Sequence, residues 1–225
     1  MNAIAQNLSR LRIRLHAAER QAGRPEASVG LVAVGKTWPA EALAEAYRHG
    51  QRDFGENYLQ EALAKQDALS GLGIVWHFIG PIQSNKTRPL AERFQWVHGV
   101  DRWKIAQRLS EQRPAELPPL NLCIQVNVSH EPSKAGVRLA ELRELAETVA
   151  VLPRIRLRGL MAIPAPTDDV DRQRLAFRRV REALESLGLA GLDTLSMGMS
   201  GDLESAVMEG ATLVRVGTAI FGERL

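Results

Sequence analysis

The sequence predicts an α/β protein, a single (β/α)8 TIM barrel with an extra N-terminal helix. Short β-branched runs alternate with helical stretches eight times. The mean repeat is about 24 residues, which is typical of such barrels, and 225 residues suffice for one of them. No linker, low-complexity stretch or composition break is visible, so we expect residues 1–225 to form one domain.

The elements follow from hydrophobic spacing and from residues that interrupt helices. Residues 2–22 carry apolar side chains at helical spacing, and Gly23 and Pro25 end this first helix. We predict the eight strands at 31–35, 52–55, 74–79, 96–100, 121–128, 157–163, 194–197 and 212–216. The helices between and after them are predicted at 39–50, 58–69, within 84–94, from 101 onwards, at 139–152, up to 188, at 202–209 and through 221.

Two helices allow more detailed predictions. Asp101 is a good N-cap residue and is expected to begin the helix after the fourth strand. The long helix that ends at Gly188 is expected to bury one apolar stripe, made of Leu175, Val180, Leu184 and Leu187.

The number of strands does not by itself show that the sheet closes, so an open doubly wound sheet is the alternative fold. No G-x-G-x-x-G motif follows the first strand, which argues against a dinucleotide-binding sheet of that kind.

Composition excludes several classes of protein. There are 29 Lys and Arg against 26 Asp and Glu, a balance too even to indicate a nucleic-acid partner. The single cysteine, Cys123, rules out an internal disulfide and a multi-cysteine metal site. The N-terminus has no apolar signal region, and no run approaches the ~18 apolar residues of a membrane span. We therefore expect a soluble, cytoplasmic protein with no membrane partner.

Candidate functional residues lie where the predicted strands end, because the carboxyl ends of the strands form the functional face of a barrel. Lys36 follows the apolar first strand in a chain that has only five lysines. A desolvated lysine holds more of the neutral amine that condenses with an aldehyde or ketone. The alternative is that Lys36 reaches solvent or pairs with Glu56.

The loops after the seventh and eighth strands are rich in glycine. Met199, Ser200 and Gly201 precede a short helix, and Gly217 and Thr218 follow the last strand. Loops at these two positions form the recurrent phosphate site of TIM barrels, although turn formation alone could also explain the glycines. An amine opposite a phosphate cradle suits a phosphorylated carbonyl compound, either pyridoxal 5′-phosphate or a sugar phosphate.

Arg215, at the end of the eighth strand, favours pyridoxal phosphate. A guanidinium beside the pyridine nitrogen would keep that nitrogen unprotonated and weaken the ring as an electron sink. A structural ion pair with Glu204 or Glu209 is the other interpretation.

At these residues the chain resembles the YggS/PROSC family of pyridoxal phosphate homeostasis proteins, whose barrel is similar to the N-terminal domain of alanine racemase. The matching segments extend over nearly the whole chain and follow the family's order. They are VAVGKT at 32–37, FGENY at 54–58, WHFIGPIQSNK at 76–86, GLM at 159–161, LSMGMS at 195–200 and VRVGTAIFG at 214–222.

The resemblance implies a role for each site residue. Lys36 would be the internal-aldimine lysine, and Arg215 would face the pyridine nitrogen. The phosphate would be held by Ser200, Gly217 and Thr218.

Two polar residues would complete the cofactor site, Asn57 and His77, although a core position for His77 is the alternative. Gly35 departs from the family, where serine is expected, and could remove a hydroxyl near the aldimine.

The resemblance also implies a function: reversible binding of pyridoxal phosphate, for buffering or for delivery to apo-enzymes, with little catalytic turnover. A racemase takes its second base from an additional domain and from its dimer partner, and the barrel is expected to use all 225 residues. The missing domain argues against racemase turnover, and the resemblance itself implies a monomer. The alternatives are a pyridoxal-phosphate-dependent amino-acid racemase and a Schiff-base sugar-phosphate aldolase.

Two further lysines lie near the predicted functional face. Lys86 could belong to a second anion site, but a solvated helix start is the preferred interpretation. Lys134, after the fifth strand, could accept the cofactor during transfer.

Overall fold

The computed structural model describes residues 3–129 and 135–223. Eight parallel strands pair in chain order, and the first also pairs with the last, so the sheet is a closed barrel. The strands are β1 Gly30–Val34, β2 Asp53–Glu56, β3 Val75–Phe78, β4 Trp96–Val100, β5 Leu120–Val126, β6 Ile155–Ala162, β7 Thr194–Ser196 and β8 Leu213–Val216. The predicted TIM barrel is confirmed, and the open sheet is excluded.

Helices surround this barrel. They are α1 Ala3–Gln21, α2 Ala40–Arg48, α3 Leu59–Ala68, α4 Thr87–Arg93, α5 Trp103–Gln112, α6 Leu139–Ala150, α7 Val170–Leu187, α8 Leu203–Met208 and α9 Thr218–Phe221, and a 3₁₀ turn, Ser84–Lys86, precedes α4. The extra helix α1 packs against α2, α8 and α9. It buries Leu8, Leu11 and Leu15, which share one helical face.

The apolar core lies between the strands and the helices. Its largest fully buried side chains include Phe54, Phe94 and Phe177. The strands are rich in Val, Ile and Leu because a parallel sheet in a barrel is covered on both faces. This core holds the strand ends, and therefore the loops of the functional face, in fixed relative positions.

Two helix predictions need correction. Asp101 does not cap α5: the N-cap is Arg102, and Asp101 Oδ1 accepts a hydrogen bond from the Arg102 guanidinium at 2.6 Å. Leu175 is 47% exposed. It lies five residues before Val180, off the buried face, and Phe177 takes the place predicted for it because its three-residue spacing matches the helix period.

One glycine of the family-like segments is required by strand packing. Gly159 in β6 has φ 155°, and a Cβ there would lie 1.9 Å from the carbonyl oxygen of Thr194 in β7. Any larger residue would force β6 and β7 apart. The glycine of the GLM segment is therefore explained by the fit between two neighbouring strands.

Candidate functional site

A cavity of about 270 Å³ lies at the carboxyl ends of the strands. Eight of the nine predicted site residues line it: Lys36, Asn57, Met199, Ser200, Gly201, Arg215, Gly217 and Thr218. Its other described lining residues were not predicted from the sequence: Val34, Trp38, Ile79, Ile163 and Gly222. The cavity thus combines one amine and one guanidinium with amide, hydroxyl and apolar groups.

Lys36 enters the cavity directly after β1. The carbonyl of the preceding residue, Gly35, accepts a hydrogen bond from Lys65 Nζ at 2.7 Å. The same buried Nζ is 2.8 Å from Glu56 Oε1 and also pairs with Glu61. The acidic partner considered for Lys36, Glu56, is therefore occupied by Lys65, and α3 supports the chain just before Lys36.

Glu56 is fully buried behind this strand end. Within the part of the chain that the structure describes, its Oε2 has no hydrogen-bond partner. Burial raises the pKa of the carboxyl group to about 7, although Lys65 opposes this rise. A Cβ at position 35 would lie 2.8 Å from both Glu56 Oε1 and Leu43. A side chain at Gly35 would therefore point away from the cavity, so the expected loss of a hydroxyl near the amine was wrong.

The loop after β7 is held from two sides. Met199 N donates to Asp202 Oδ1 at 2.6 Å, and Asp202 N donates to the Met199 carbonyl at 3.3 Å. Arg14 in α1 donates to the Ser200 carbonyl at 2.9 Å and forms an ion pair with Glu204. The cavity wall is therefore attached to the N-terminal helix, a contact between residues that are distant in sequence.

The second loop joins β8 directly to α9. Gly217 is the N-cap residue of α9, and a Cβ there would lie 3.1 Å from the Val34 carbonyl oxygen. The amide N–H groups of Thr218 and Ala219 lie in the first turn of α9, where a helix offers them no acceptor. With the hydroxyls of Ser200 and Thr218, these amides can bind an anionic group.

Arg215 is buried and makes two hydrogen bonds among the described residues. One guanidinium nitrogen donates to Ser196 Oγ at 2.7 Å and the other to the Ala162 carbonyl at 3.0 Å. Burial lowers the pKa of Arg215 to about 10, so the group stays charged at neutral pH. The alternative partners, Glu204 and Glu209, are bonded to arginines of the surrounding helices.

Asn57 follows β2 and lines the cavity. Its Oδ1 is buried and has no hydrogen-bond partner among the described residues. A Cβ at Gly80 would lie 2.2 Å from the Asn57 carbonyl oxygen, so only glycine lets the loop after β3 pack this closely. An unpaired buried oxygen is costly, so a ligand that donates a hydrogen bond here would be stabilised.

His77, the ninth predicted residue, does not line the cavity. It is the third residue of β3 and is 1% exposed. Its ring hydrogen bonds to His98 and to Asp53, the first residue of β2, so it lies inside the barrel and reaches towards the amino end of the strands. Its position agrees with the alternative interpretation, that His77 is a core histidine.

Lys134 lies outside the described residues. Lys86 ends the 3₁₀ turn before α4 and does not line the cavity. Within 3–129 and 135–223, no group of three or more His, Cys, Asp or Glu residues could hold a metal ion. No helix in those ranges is both long and apolar enough to cross a membrane.

Comparison with known proteins first identifies the class, that of barrels similar to the N-terminal domain of alanine racemase. A family model described as the alanine racemase N-terminal domain matches residues 2–225. The solved structure of PipY from Synechococcus elongatus PCC7942, with pyridoxal phosphate (PLP) bound, is similar with a TM-score of 0.85 and 40% identity, over 97% of this chain and 100% of that one.

Curated relatives narrow this class. The pyridoxal phosphate homeostasis protein of Pseudomonas aeruginosa is 64% identical over 224 residues, which span 100% of this chain and 97% of that protein. The protein of the same name in Escherichia coli K12 is 54% identical over 229 residues, which span 100% and 98%. The chain belongs to the family of pyridoxal phosphate homeostasis proteins.

The buried carboxyl group behind Lys36 predicts a pH-dependent stability. The folded pKa of Glu56, about 7, lies above the ordinary value of 4.5, so the folded state binds more protons between these pH values. Its contribution to stability is therefore full below pH 4.5 and is lost as pH rises to about 7. We expect Glu56→Gln to gain stability relative to the wild type over this range, by up to about 3 kcal/mol.

Urea unfolding of both proteins at several pH values between 4.5 and 8 measures this difference. Glu116→Gln, a change at an exposed carboxylate, is the control and should show a small difference that does not grow with pH. A Glu56→Gln difference that is equally flat would contradict the raised pKa.

Proposed function

We propose that this chain binds pyridoxal phosphate in the cavity through a Schiff-base bond to Lys36, and that it stores and delivers the cofactor rather than catalysing amino-acid turnover. The observation that carries this proposal is the convergence of Lys36, Arg215 and the two glycine-containing loops on one cavity. The cofactor in PipY and the names of the relatives support it.

The donors and acceptors of the cavity suit the three polar parts of this molecule. The hydroxyls of Ser200 and Thr218 and the amides at the start of α9 suit the phosphate. Arg215 is a donor with no acceptor atom, which suits the lone pair of an unprotonated pyridine nitrogen. The amide of Asn57, with its unpaired Oδ1, suits the ring hydroxyl.

Lys36 is the amine assigned to covalent attachment because it lines the cavity. When bound, pyridoxal phosphate supplies an aldehyde carbon that condenses with an amine and releases one water molecule. Lys65, the other lysine near this strand end, is buried behind the strand and its Nζ is bonded to Gly35, Glu56 and Glu61. Only Lys36 among the described cavity-lining residues carries a primary amine.

Two features favour storage and delivery over turnover. Arg215 would keep the pyridine nitrogen unprotonated, which weakens the electron withdrawal that amino-acid chemistry requires. A racemase needs an acid–base group on each face of the reacting carbon, and the described lining supplies one, Lys36.

The rim includes the exposed residues Ile163, Met199 and Thr218, so a bound molecule can exchange with solvent. The cytoplasmic location, the monomeric state and the recipient apo-enzymes stay predictions.

Borohydride reduction tests the attachment site. Purified protein is loaded with pyridoxal phosphate, reduced, digested and mapped by mass spectrometry, and the cofactor mass should be found on the peptide that contains Lys36. Lys36→Ala should lose the label because the amine is gone. Lys104→Ala, which removes an exposed lysine of α5, is the matched control and should keep it. A label on another lysine in the wild type would contradict the proposal.

The lack of turnover is tested separately. The loaded protein is incubated with D- and L-alanine, and the enantiomers are separated by chiral chromatography over hours. We expect negligible racemisation because the described cavity lining supplies one acid–base group, and a known alanine racemase serves as the positive control. Turnover at ~1 s⁻¹ or faster, as in ordinary enzymes, would show that the protein is a catalyst.

A further inference from the structure

A continuous chain of hydrogen bonds runs through the inside of the barrel to Arg215. Asp53 Oδ1 lies 3.0 Å from His77 Nε2, and His77 Nδ1 lies 3.0 Å from His98 Nε2. His98 Nδ1 lies 2.8 Å from Ser196 Oγ, which accepts from Arg215 at 2.7 Å. None of the three middle residues lines the cavity, so their role is not direct contact with a ligand there.

The chain connects opposite ends of the barrel. Asp53 is the first residue of β2, at the amino end, and its side chain is 41% exposed. The next members lie in β3 and β4, and the bond from His98 to Ser196 crosses the barrel to β7. His98 and Ser196 are fully buried. A carboxylate in contact with water is thus linked to a guanidinium at the cavity.

The two ends determine which way every bond points. Arg215 can only donate, and the Asp53 carboxylate can only accept. With both imidazoles neutral, His77 must carry its proton on Nε2 to bond Asp53, and its Nδ1 then accepts from His98 Nε2–H. The Nδ1 of His98 then accepts from the Ser196 hydroxyl. Any other neutral arrangement places two donors or two lone pairs opposite each other.

Neutral rings agree with their surroundings. Burial lowers the pKa of both His77 and His98, and the neighbouring Arg215 charge lowers that of His98 further. The ring of Trp96 stacks on His77, with centroids 5.5 Å apart and an angle of 9° between the planes. This stacking holds the His77 ring in the orientation that the chain of bonds requires.

We propose that Ser196, His98 and His77 are positioning residues that fix the Arg215 guanidinium against the cavity, with Asp53 as the accepting end of the chain. Because Ser196 gives its proton to His98, a lone pair on its oxygen faces Arg215. This contact and the Ala162 carbonyl hold one edge of the guanidinium. Three of its five N–H groups stay unused by described residues and can serve a ligand.

The first test does not depend on any cofactor. Imidazole ¹⁵N chemical shifts of the full unliganded chain at pH 7 report the proton positions directly, with signals assigned from His77→Gln and His98→Gln. His77 and His98 should both be neutral and carry the proton on Nε2. A proton on Nδ1 of either ring, or a charged ring, would overturn the proposal.

The second test rests on the proposed function, because it follows bound pyridoxal phosphate. We expect Ser196→Ala to shift the absorption maximum of the bound cofactor and to speed its release by about tenfold, as expected when one hydrogen bond to a charged group is lost. Ser110→Ala is the matched control, since it too removes a buried hydroxyl. The Ser110 hydroxyl is bonded to the Pro153 carbonyl and not to the chain that ends at Arg215. This control should leave both readouts unchanged.

A Ser196→Ala protein with the wild-type spectrum and release rate would overturn the positioning role. If this variant does not fold, the proton positions in the wild-type chain still show whether the hydrogen bonds point as proposed. If the chain fails to bind pyridoxal phosphate while the ¹⁵N shifts are as expected, the proposed function fails and the bond network remains. The two claims are therefore distinguishable.

Discussion

The pairing of β1 with β8 is the constraint on which the candidate site depends. In the register Gly30 with Leu213 and Ala33 with Val216, the two strands are parallel, so their carboxyl ends meet at one edge. This brings Lys36 beside Gly217, which is far away in sequence, and a Cβ at Gly217 would already approach the Val34 carbonyl to 3.1 Å. In an open sheet, the amine and the glycine-containing loop would lie on strands without this contact. Closure of the barrel therefore creates the site.

The inside of the barrel departs from the usual filling of branched apolar side chains. His77, His98, Ser196 and Arg215 are all buried there and are bonded to one another. No described carboxylate is bonded to the buried Arg215 guanidinium. Burying such a charge is costly, and neutral acceptors offset only part of that cost. We interpret this burial of Arg215 as a loss of folding stability that the protein tolerates because it fixes a positive group at the cavity. The same reasoning applies to Glu56 and Lys65, whose buried pair supports the strand end before Lys36.

Sequence patterns predicted what depends on local spacing. Alternating strands and helices indicated the barrel, and position at strand ends selected Lys36 and the two glycine-containing loops. The family resemblance placed His77 at the cofactor, with a core position as the alternative, and local spacing could not decide between them; in the structure its ring bonds towards the amino end. Long-range partners were also missed: nothing near Arg14 indicates that it pairs with Glu204. Those contacts follow from how α1 packs against α8, which only the folded chain reveals.

A crystal structure of the chain grown with pyridoxal phosphate tests the central claim most directly. We expect continuous electron density from Lys36 Nζ to the cofactor, with the phosphate beside Ser200 and Thr218 and the ring nitrogen beside Arg215. Cofactor density at another lysine, or an empty cavity at saturating cofactor, would contradict the account.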